Sequence, residues 1–386
     1  MTRPPLTRAQ RLRFVLYSAA VTVFALLVLD GTLAWLGRRG VIDLTSPNDR
    51  AWVPGRVPWK LGDDGYYHAD PDSDNRVAEH RFRKTKGDAW RMFFIGESFL
   101  RGVPYDEVGT IHYWFREQLA VQHPHATIEV INASMSAQNS DRMVENLGFV
   151  LDLEPDLILV ATCNNEGTPA PGEVNRRLRD SGTFRTFRAL LQKDEAVPAH
   201  TPQDVDIAAV AAHFRENLRT IVKRTGEAGL PLLLATLPLN LRYEGDESGL
   251  PLQGASWVAP GTTSYGDCVQ RGSASYRAGM FDAAEGTLRG CDDIEALRWL
   301  GLVQAAKGQT AAAERSLAAY TELVPRNRCR PTFQQIIREE AARGSHVILV
   351  DLEALIRKHS PAGLPGAELF TDYCHLNWRG QGLVAD

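Results

Sequence analysis

The chain has 386 residues, of which 44% are hydrophobic and 23% charged, and its net charge is -4 at pH 7. This composition is ordinary for a globular protein, and the length suits about two domains. Because the net charge is negative and no basic helix or aromatic-interleaved basic patch occurs, a nucleic-acid partner is not expected.

An apolar segment near the N-terminus predicts a membrane anchor. Residues 14–36 contain one charged side chain, Asp30, and a span needs about 20 apolar residues. Four arginines precede the segment and two follow it, which favours an N-terminus inside. A cleaved signal peptide is the alternative, although the run is long for one and no clear cleavage site follows. We therefore predict a single-pass membrane protein with an extracytoplasmic main domain, which is periplasmic if the cell is Gram-negative.

Strands and helices are predicted to alternate after an irregular approach segment. Residues 41–90 are rich in Pro, Gly and Asp, which favours irregular structure. Five short apolar runs then suit strands buried on both faces of a parallel sheet. Helical patterns between them predict a doubly wound α/β domain. The predicted strands are 92–95, 128–131, 157–161, 232–237 and 347–350, and the predicted helices include 110–122, 140–153 and 205–228.

A helical insertion interrupts this alternation. About 110 residues separate the fourth and fifth predicted strands, far more than one crossover needs. The spacing of Gly279, Ala284 and Leu288 recurs 29 residues later, and the surrounding pattern matches a tetratricopeptide unit. We predict about one and a half such units, with a generic helical hairpin as the alternative. The insertion would serve as a lid or as a docking surface for a protein partner.

Candidate catalytic residues follow the first and last predicted strands. Ser98 lies on a glycine-containing turn after the first strand, at the edge where open α/β sheets bind ligands. Asp372 lies three residues before His375. Serine becomes an effective nucleophile when a base takes its proton and a carboxylate orients that base. The simpler alternatives are a helix N-cap for Ser98 and a solvated turn for the other two.

Two further segments lie at the ends of the second and third predicted strands. Residues 132–137 are mostly small, so a backbone N–H can approach a ligand closely. Asn165 follows the third strand, where its amide can donate to a developing oxyanion. A polar turn is the alternative for each.

These segments resemble the sequence blocks of the SGNH hydrolases, also called GDSL esterases and lipases. Gly96-Glu97-Ser98 resembles the block Gly-Asp-Ser, and Asp372 to His375 matches the block Asp-x-x-His. Residues 132–137 and 163–166 are similar to the second and third blocks, and the resemblance covers residues 90–240 and 340–386. It implies a flavodoxin-like three-layer α/β/α fold with a five-stranded parallel sheet, here with an N-terminal transmembrane helix and a tetratricopeptide-like insertion.

The resemblance also implies a role for each candidate residue. Ser98 would be the nucleophile, His375 the general base and Asp372 the acid that orients it. The backbone N–H groups of Ser98 and Ala137, with the side chain of Asn165, would form the oxyanion hole. Ala137 replaces the family's glycine, and its N–H can be aimed correctly only at negative φ.

The remaining candidates have less specific signals. Glu166 is interpreted as a ligand for a sugar hydroxyl or as a solvated turn acid, and Arg328 and Arg330 as ligands for a carboxylate or phosphate. The five cysteines, at 163, 268, 291, 329 and 374, leave at least one thiol without an intramolecular partner. A disulfide between Cys163 and Cys374, or from either to Cys329, is left open. No metal or other cofactor is predicted.

We thus predict a serine esterase or deacylase acting on a small acyl ester or an acylated glycan. An O-acyltransferase that modifies a glycan is one alternative, and a catalytically weak scaffold that uses the insertion is the other. The predicted organisation is a cytoplasmic tip and anchor at 1–40, an approach segment at 41–90, a hydrolase domain at 91–262 and 327–386, and the insertion at 263–326.

Overall fold

The fold was analysed in a computed structural model, which describes residues 8–38, 59–69, 79, 81–105, 107–136, 138–167, 183, 206–245, 266–324 and 328–386. Helix α1 (Arg8–Arg38) contains the stretch Leu16–Leu33, which is long and apolar enough to cross a membrane. A signal sequence meets the same description. The apolar N-terminal helix is therefore confirmed, and its anchoring role and orientation stay predictions.

A small antiparallel sheet precedes the main sheet. Its strands are β1 (Trp59–Leu61), β2 (Tyr66–Ala69) and β3 (Arg81–Arg83), in the order β1-β2-β3. Gly65, at a φ of +76°, lies in the turn between the first two strands, a conformation that favours glycine. The prediction of irregular structure throughout residues 41–90 was therefore wrong, because strands of three or four residues are too short to show a clear alternation.

The main sheet has five parallel strands, as predicted. They are β4 (Trp90–Gly96), β5 (Ile128–Asn132), β6 (Leu157–Ala161), β7 (Leu232–Ala235) and β8 (Val347–Val350). Their order is β5-β4-β6-β7-β8, with every neighbouring pair parallel. In chain order this is 2-1-3-4-5, the flavodoxin-like arrangement, whose ligands bind beyond the carboxyl ends of the strands.

Helices alternate with these strands. They are α2 (Ser98–Arg101), α3 (Ile111–Gln122), α4 (Ser140–Leu151), α5 (Ile207–Glu227), α6 (Asp267–Arg277), α7 (Phe281–Arg289), α8 (Ile294–Ala306), α9 (Thr310–Leu323), α10 (Pro331–Ala341), α11 (Leu352–Lys358) and α12 (Trp378–Ala385). The side chains of Thr110, Asn139 and Asp206 cap α3, α4 and α5 by accepting backbone N–H bonds, which satisfies donors that a helix start leaves open.

Burial differs between the centre and the edge of the main sheet. From Arg91 to Gly96 every residue of β4 is buried, as expected for a strand covered on both faces. The edge strand β8 is different, because Ile348 is 57% and Leu349 38% exposed. The prediction of burial on both faces was therefore wrong for this strand, since an apolar run alone does not reveal an edge position.

The insertion consists of two consecutive helical hairpins, α6–α7 and α8–α9. A Cβ on Gly272 would lie 2.5 Å from Leu288, and one on Gly301 would lie 2.6 Å from Leu317. The two contacts are 29 positions apart in sequence, so equivalent glycines allow equivalent helix packing. The repeat is thus present in the packing, with a period shorter than the 34 residues of a tetratricopeptide unit. The tetratricopeptide assignment and a docking role stay predictions.

Candidate active site

Ser98 lies at the carboxyl edge of the main sheet, where β4 ends and α2 begins. The glycine before it permits a close approach of neighbouring strands. A Cβ on Gly96 would lie 2.7 Å from the carbonyl oxygen of Ala161, its partner on β6. The sharp strand-to-helix turn therefore depends on glycine at this position and presents the Ser98 side chain beyond the strand ends.

Asp372 and His375 belong to a tight turn closed by an isolated antiparallel bridge between Phe370 and Leu376. Within this turn, Asp372 Oδ1 accepts hydrogen bonds from the backbone N–H groups of Cys374 at 2.9 Å and His375 at 2.7 Å. From the loop after β7, the amide of Asn240 donates to the carbonyl oxygen of Asp372 at 2.9 Å. These bonds hold the carboxylate of Asp372 and the backbone of the turn in place.

The structure brings Ser98, His375 and Asp372 into one hydrogen-bonded chain. His375 Nε2 lies 2.8 Å from Ser98 Oγ, and His375 Nδ1 lies 2.6 Å from Asp372 Oδ2. With Nδ1–H donated to the carboxylate, Nε2 carries the lone pair that accepts the serine proton. This is the arrangement that can activate a hydroxyl for attack on an acyl carbon.

The electrostatics of the pair suit that arrangement. Burial raises the pKa of Asp372, but the hydrogen bond and charge of His375 outweigh it, so the pKa lies below its usual value. Burial lowers the pKa of His375, while the sulfur of Cys374 and the carboxylate of Asp372 raise it above its usual value. Because burial raises the pKa of the Cys374 thiol, the sulfur is neutral near pH 7. We therefore attribute the upward shift of His375 to Asp372.

Within the described part of the chain, Asp372, Cys374 and His375 also form a group whose ligand atoms lie within 4.8 Å of one another. Such a set of oxygen, sulfur and nitrogen atoms suits Zn²⁺ chemically. The Asp372 oxygens and His375 Nδ1 are already engaged in the hydrogen bonds above, so we assign the group to proton transfer.

Asn165 is bound by Glu97, the residue that precedes Ser98. The buried Glu97 accepts hydrogen bonds from the side-chain amide of Asn165 at 2.7 Å and from its backbone N–H at 3.3 Å. Asn165 is half-buried in the loop after β6. Its amide carries two N–H groups, so one remains for another acceptor. Ala137, which was also predicted to form the oxyanion hole, is not among the described residues.

Glu166 is buried rather than a solvated turn acid, and its role as a ligand for a sugar hydroxyl stays a prediction. It is 2% exposed, and its carboxylate accepts bonds from the backbone N–H and hydroxyl of Ser140, both at 2.8 Å. A strand-end acid next to an asparagine has the same sequence pattern whether it faces solvent or a neighbouring helix. Its contacts are those of a link between the β6 loop and the start of α4.

The two arginines after the insertion are buried as well. Arg330 is fully buried and donates to the carbonyl oxygens of Thr321, Glu322 and Val324. It therefore satisfies the carbonyls at the C-terminus of α9, and its role as a ligand for a carboxylate or phosphate stays a prediction. Arg328 is 3% exposed and lies over the ring of Tyr373 at 4.1 Å, so it packs against the turn that carries the acid and the base rather than facing solvent.

Two disulfides join described cysteines, and one of them reaches the site. Cys163 pairs with Cys329, and Cys268 pairs with Cys291 inside the insertion. Cys374 is a buried free thiol. Of the pairings left open, the structure therefore has the one between Cys163 and Cys329. It ties the loop after β6 to the segment that leaves the insertion, beside a bond from the backbone N–H of Cys329 to the side-chain oxygen of Asn164.

Sequence reasoning missed Glu97, Ser140 and Asn240 as parts of this site. Asn240 and Glu97 each follow a parallel strand, so a systematic search of all strand ends would have found them. Ser140 starts a helix, and its bond to Glu166 joins two loops far apart in sequence. No local signal identifies such a contact.

Comparisons with known proteins add structural neighbours at low similarity. No family model and no curated protein matches the chain. Among solved structures, the acetyl xylan esterase AlAXEase is 14% identical with a TM-score of 0.38, covering 77% of this chain and 96% of its own. An acetylxylan esterase from Geobacillus stearothermophilus is 13% identical with a TM-score of 0.38, covering 78% and 93%. A lipase/acylhydrolase from Enterococcus faecalis is 14% identical with a TM-score of 0.37, covering 77% and 91%. These values are too low to assign a fold or an activity, so the functional argument depends on the geometry above.

Proposed function

We propose that the protein is a serine ester hydrolase that works through an acyl-enzyme. The observation that carries this proposal is the continuous hydrogen-bonded chain from Ser98 Oγ through His375 to Asp372. It joins residues that are 277 positions apart in sequence, at the carboxyl edge of the sheet. Such a hydrogen-bonded series of serine, histidine and aspartate serves to deprotonate a hydroxyl as it attacks an electrophile.

The proposed reaction has two halves. Ser98 Oγ attacks the ester carbonyl while His375 Nε2 takes its proton, and the negative charge on the carbonyl oxygen is stabilised by the free N–H of Asn165. The proton then passes to the departing alcohol as the carbon–oxygen bond breaks, leaving the acyl group on Ser98. In the second half, His375 takes a proton from water, the hydroxide adds to the acyl carbon, and Ser98 leaves with that proton.

The acceptor and the cellular setting belong to the same proposal. With water as acceptor the protein is an esterase or deacylase, and with a sugar hydroxyl it is an O-acyltransferase that modifies a glycan. Helix α1 would anchor the protein, with the catalytic domain outside the cytoplasm, and the two helical hairpins would dock a protein partner. A catalytically weak scaffold is the competing function, and the hydrogen-bonded chain from Ser98 to Asp372 argues against it.

The test uses the full chain solubilised in mild detergent. Wild type should react with a fluorophosphonate probe and hydrolyse a short-chain aryl acetate, and Ser98→Ala should lose both. The loss in kcat should be about 10⁴-fold or more, since removing a nucleophile typically costs this much. Ser360→Ala, at a buried serine that bonds the carbonyl of Ile356, is the matched control and should keep both activities.

Folded wild type that shows neither labelling nor turnover would overturn the hydrolase proposal and favour the scaffold. If turnover is present, adding soluble oligosaccharides separates the two acceptors. A hydrolase releases free acid at an unchanged rate, whereas a transferase yields acylated sugar in place of part of the acid.

A further inference from the structure

Two buried carboxylates adjoin proposed site residues in sequence, Glu97 directly before Ser98 and Glu166 directly after Asn165. Glu97 is fully buried. One of its oxygens accepts from the backbone N–H of Asn164 at 3.1 Å, and the other accepts from the backbone and side-chain amides of Asn165. Glu97 therefore fixes both the main chain and the side-chain orientation of Asn165.

Glu166 holds the same loop from the other side. Its carboxylate receives two bonds from Ser140, the first residue of α4. The Ser140 hydroxyl in turn accepts a bond from the amide of Asn217 on α5 at 2.9 Å. The residue after Asn165 is thus attached through Ser140 to two helices, and the loops after β5 and β6 are joined.

Burying these groups is costly for the fold. A buried carboxylate is tolerated only when hydrogen bonds replace its lost hydration, and a well-packed apolar residue is often at least as stabilising. Burial raises the pKa of Glu97 to about 7 and that of Glu166 to about 8, in each case against hydrogen bonds that lower it. Stability alone therefore does not explain two buried acids here. The need to hold the Asn165 donor still during the reaction does explain them.

We propose that Glu97 and Glu166 are positioning residues, which hold Asn165 so that its free N–H is aimed at the oxyanion; this inference rests on the proposed function. Donors that are oriented in advance need no reorganisation as charge develops. A misplacement of about 1 Å can lower the rate about 10²-fold. Both acids act through Asn165.

The decisive experiment compares single and double variants of the full chain in detergent. For Glu97→Ala and Glu166→Ala we expect kcat to fall about 10- to 100-fold with KM within about twofold, because the donor acts mainly on the transition state. Asn165→Ala should lose about 10²- to 10³-fold. Each acid variant combined with Asn165→Ala should be no slower than Asn165→Ala alone, since effects through one group are not additive. Multiplicative losses in the double variants would overturn the proposal.

Conservative and matched controls separate positioning from general damage. Glu97→Gln keeps an acceptor for the Asn165 amide and should recover most of the rate lost in Glu97→Ala. Glu340→Ala removes another buried acid, one that bonds Arg215 and Arg219 of α5. It should lower the melting temperature with kcat unchanged. A fall of kcat in Glu340→Ala matching its loss of stability would show that any buried acid has the same effect.

A structural readout decides the matter independently of turnover. Crystal structures of wild type and both alanine variants should show the Asn165 amide moved or rotated relative to Ser98 Oγ in the variants. An amide unchanged in both variants would overturn the positioning role. If wild type has no Ser98-dependent turnover, the proposed function fails, and the displacement of Asn165 still tests what the two acids hold.

Discussion

A buried ionisable side chain lies near each end of strand β4, and the two side chains have different kinds of partner. Near the amino end, the fully buried Arg91 pairs with Glu129 at 2.6 Å and donates to the carbonyl of Leu153 at 2.9 Å. Its backbone N–H binds Asp156, which also pairs with Lys86. Just past the carboxyl end, Glu97 is held by the neutral amides of Asn164 and Asn165.

This difference indicates that the buried charge at the amino end stabilises the fold, whereas the one at the carboxyl end serves the site. At the amino end, opposite charges compensate one another and align β4 with its neighbours. At the carboxyl end, Glu97 is held by amide dipoles, and burial raises its pKa to about 7. Glu97 directly precedes Ser98 in the chain and binds the proposed oxyanion donor Asn165, so the cost of burial is associated with the site. Substitutions at the two ends should therefore separate stability from rate.

The largest effect is expected for Asp372→Asn at the carboxyl edge. The asparagine oxygen can keep the bonds from the backbone N–H groups of Cys374 and His375, so stability should barely change. The amide cannot accept from His375 Nδ1–H, which favours the wrong tautomer, and kcat should fall about 10³- to 10⁴-fold. Steady-state kinetics with a thermal melt of the same sample checks both. A variant that keeps more than about a tenth of wild-type kcat would show that Asp372 does not orient the base.

The opposite outcome is expected for Arg91→Met at the amino end. Methionine leaves Glu129 and several carbonyls without their donor, and removing one partner of a buried pair costs about 3–5 kcal/mol. Glu129 is 20% exposed and can regain water, so we expect about 3 kcal/mol, the lower end of that range. Urea unfolding should measure this loss, with kcat per folded molecule unchanged.

Arg83→Met is the matched control for that variant. Arg83 is exposed on β3 and bonds the hydroxyl of Tyr66. Its loss should change the free energy of unfolding by less than about 0.5 kcal/mol, as is usual for surface positions. If Arg91→Met lowers kcat as strongly as it lowers stability, the two ends of β4 are not independent and the comparison fails.

Much of the architecture was predictable because buried parallel strands have a strong sequence signal. The runs at 157–161 and 347–350 have the same bounds as β6 and β8, since a short apolar run between polar residues leaves little choice. The exposure of β8 was not predictable, because strand order is a property of the whole sheet. The short strands β1 to β3 were missed because three or four residues carry too little periodicity.

The site was predictable where one short segment carries two groups. Asp372 and His375 are three residues apart, and Ser98 follows a recognisable strand, so their meeting follows from the edge rule for parallel sheets. The burial of Glu166, Arg328 and Arg330 was not predicted, because polar side chains suggest exposure and the sequence does not show the contacts that bury them. Contacts such as Glu166 with Ser140 depend on how the loop after β6 meets α4, which local sequence does not encode.

Apart from the control variant, the smallest expected effect is the pH dependence of kcat/KM, which tests whether the carboxyl edge keeps its geometry in solution. His375 must be neutral to accept the serine proton, and Asp372 raises its pKa above the usual 6.5. The value of kcat/KM should therefore rise about tenfold per pH unit below that pKa and level off above it. Asp372→Asn should move this rising limb of the pH profile to lower pH, since the negative charge that favours the imidazolium is gone.

Two variants test which group causes the rise of kcat/KM with pH. Cys374→Ala should leave it in place, because burial keeps the thiol neutral in this range, so a downward move would show that a thiolate raises the pKa of His375 instead. Glu97→Gln should also leave it, although Glu97 itself titrates at about 7, since that acid takes no proton from Ser98. A wild-type rise in kcat/KM centred at or below pH 6.5 would mean that the 2.6 Å contact between His375 and Asp372 does not persist in solution. The carboxyl edge would then lack its prearranged pair of imidazole and carboxylate.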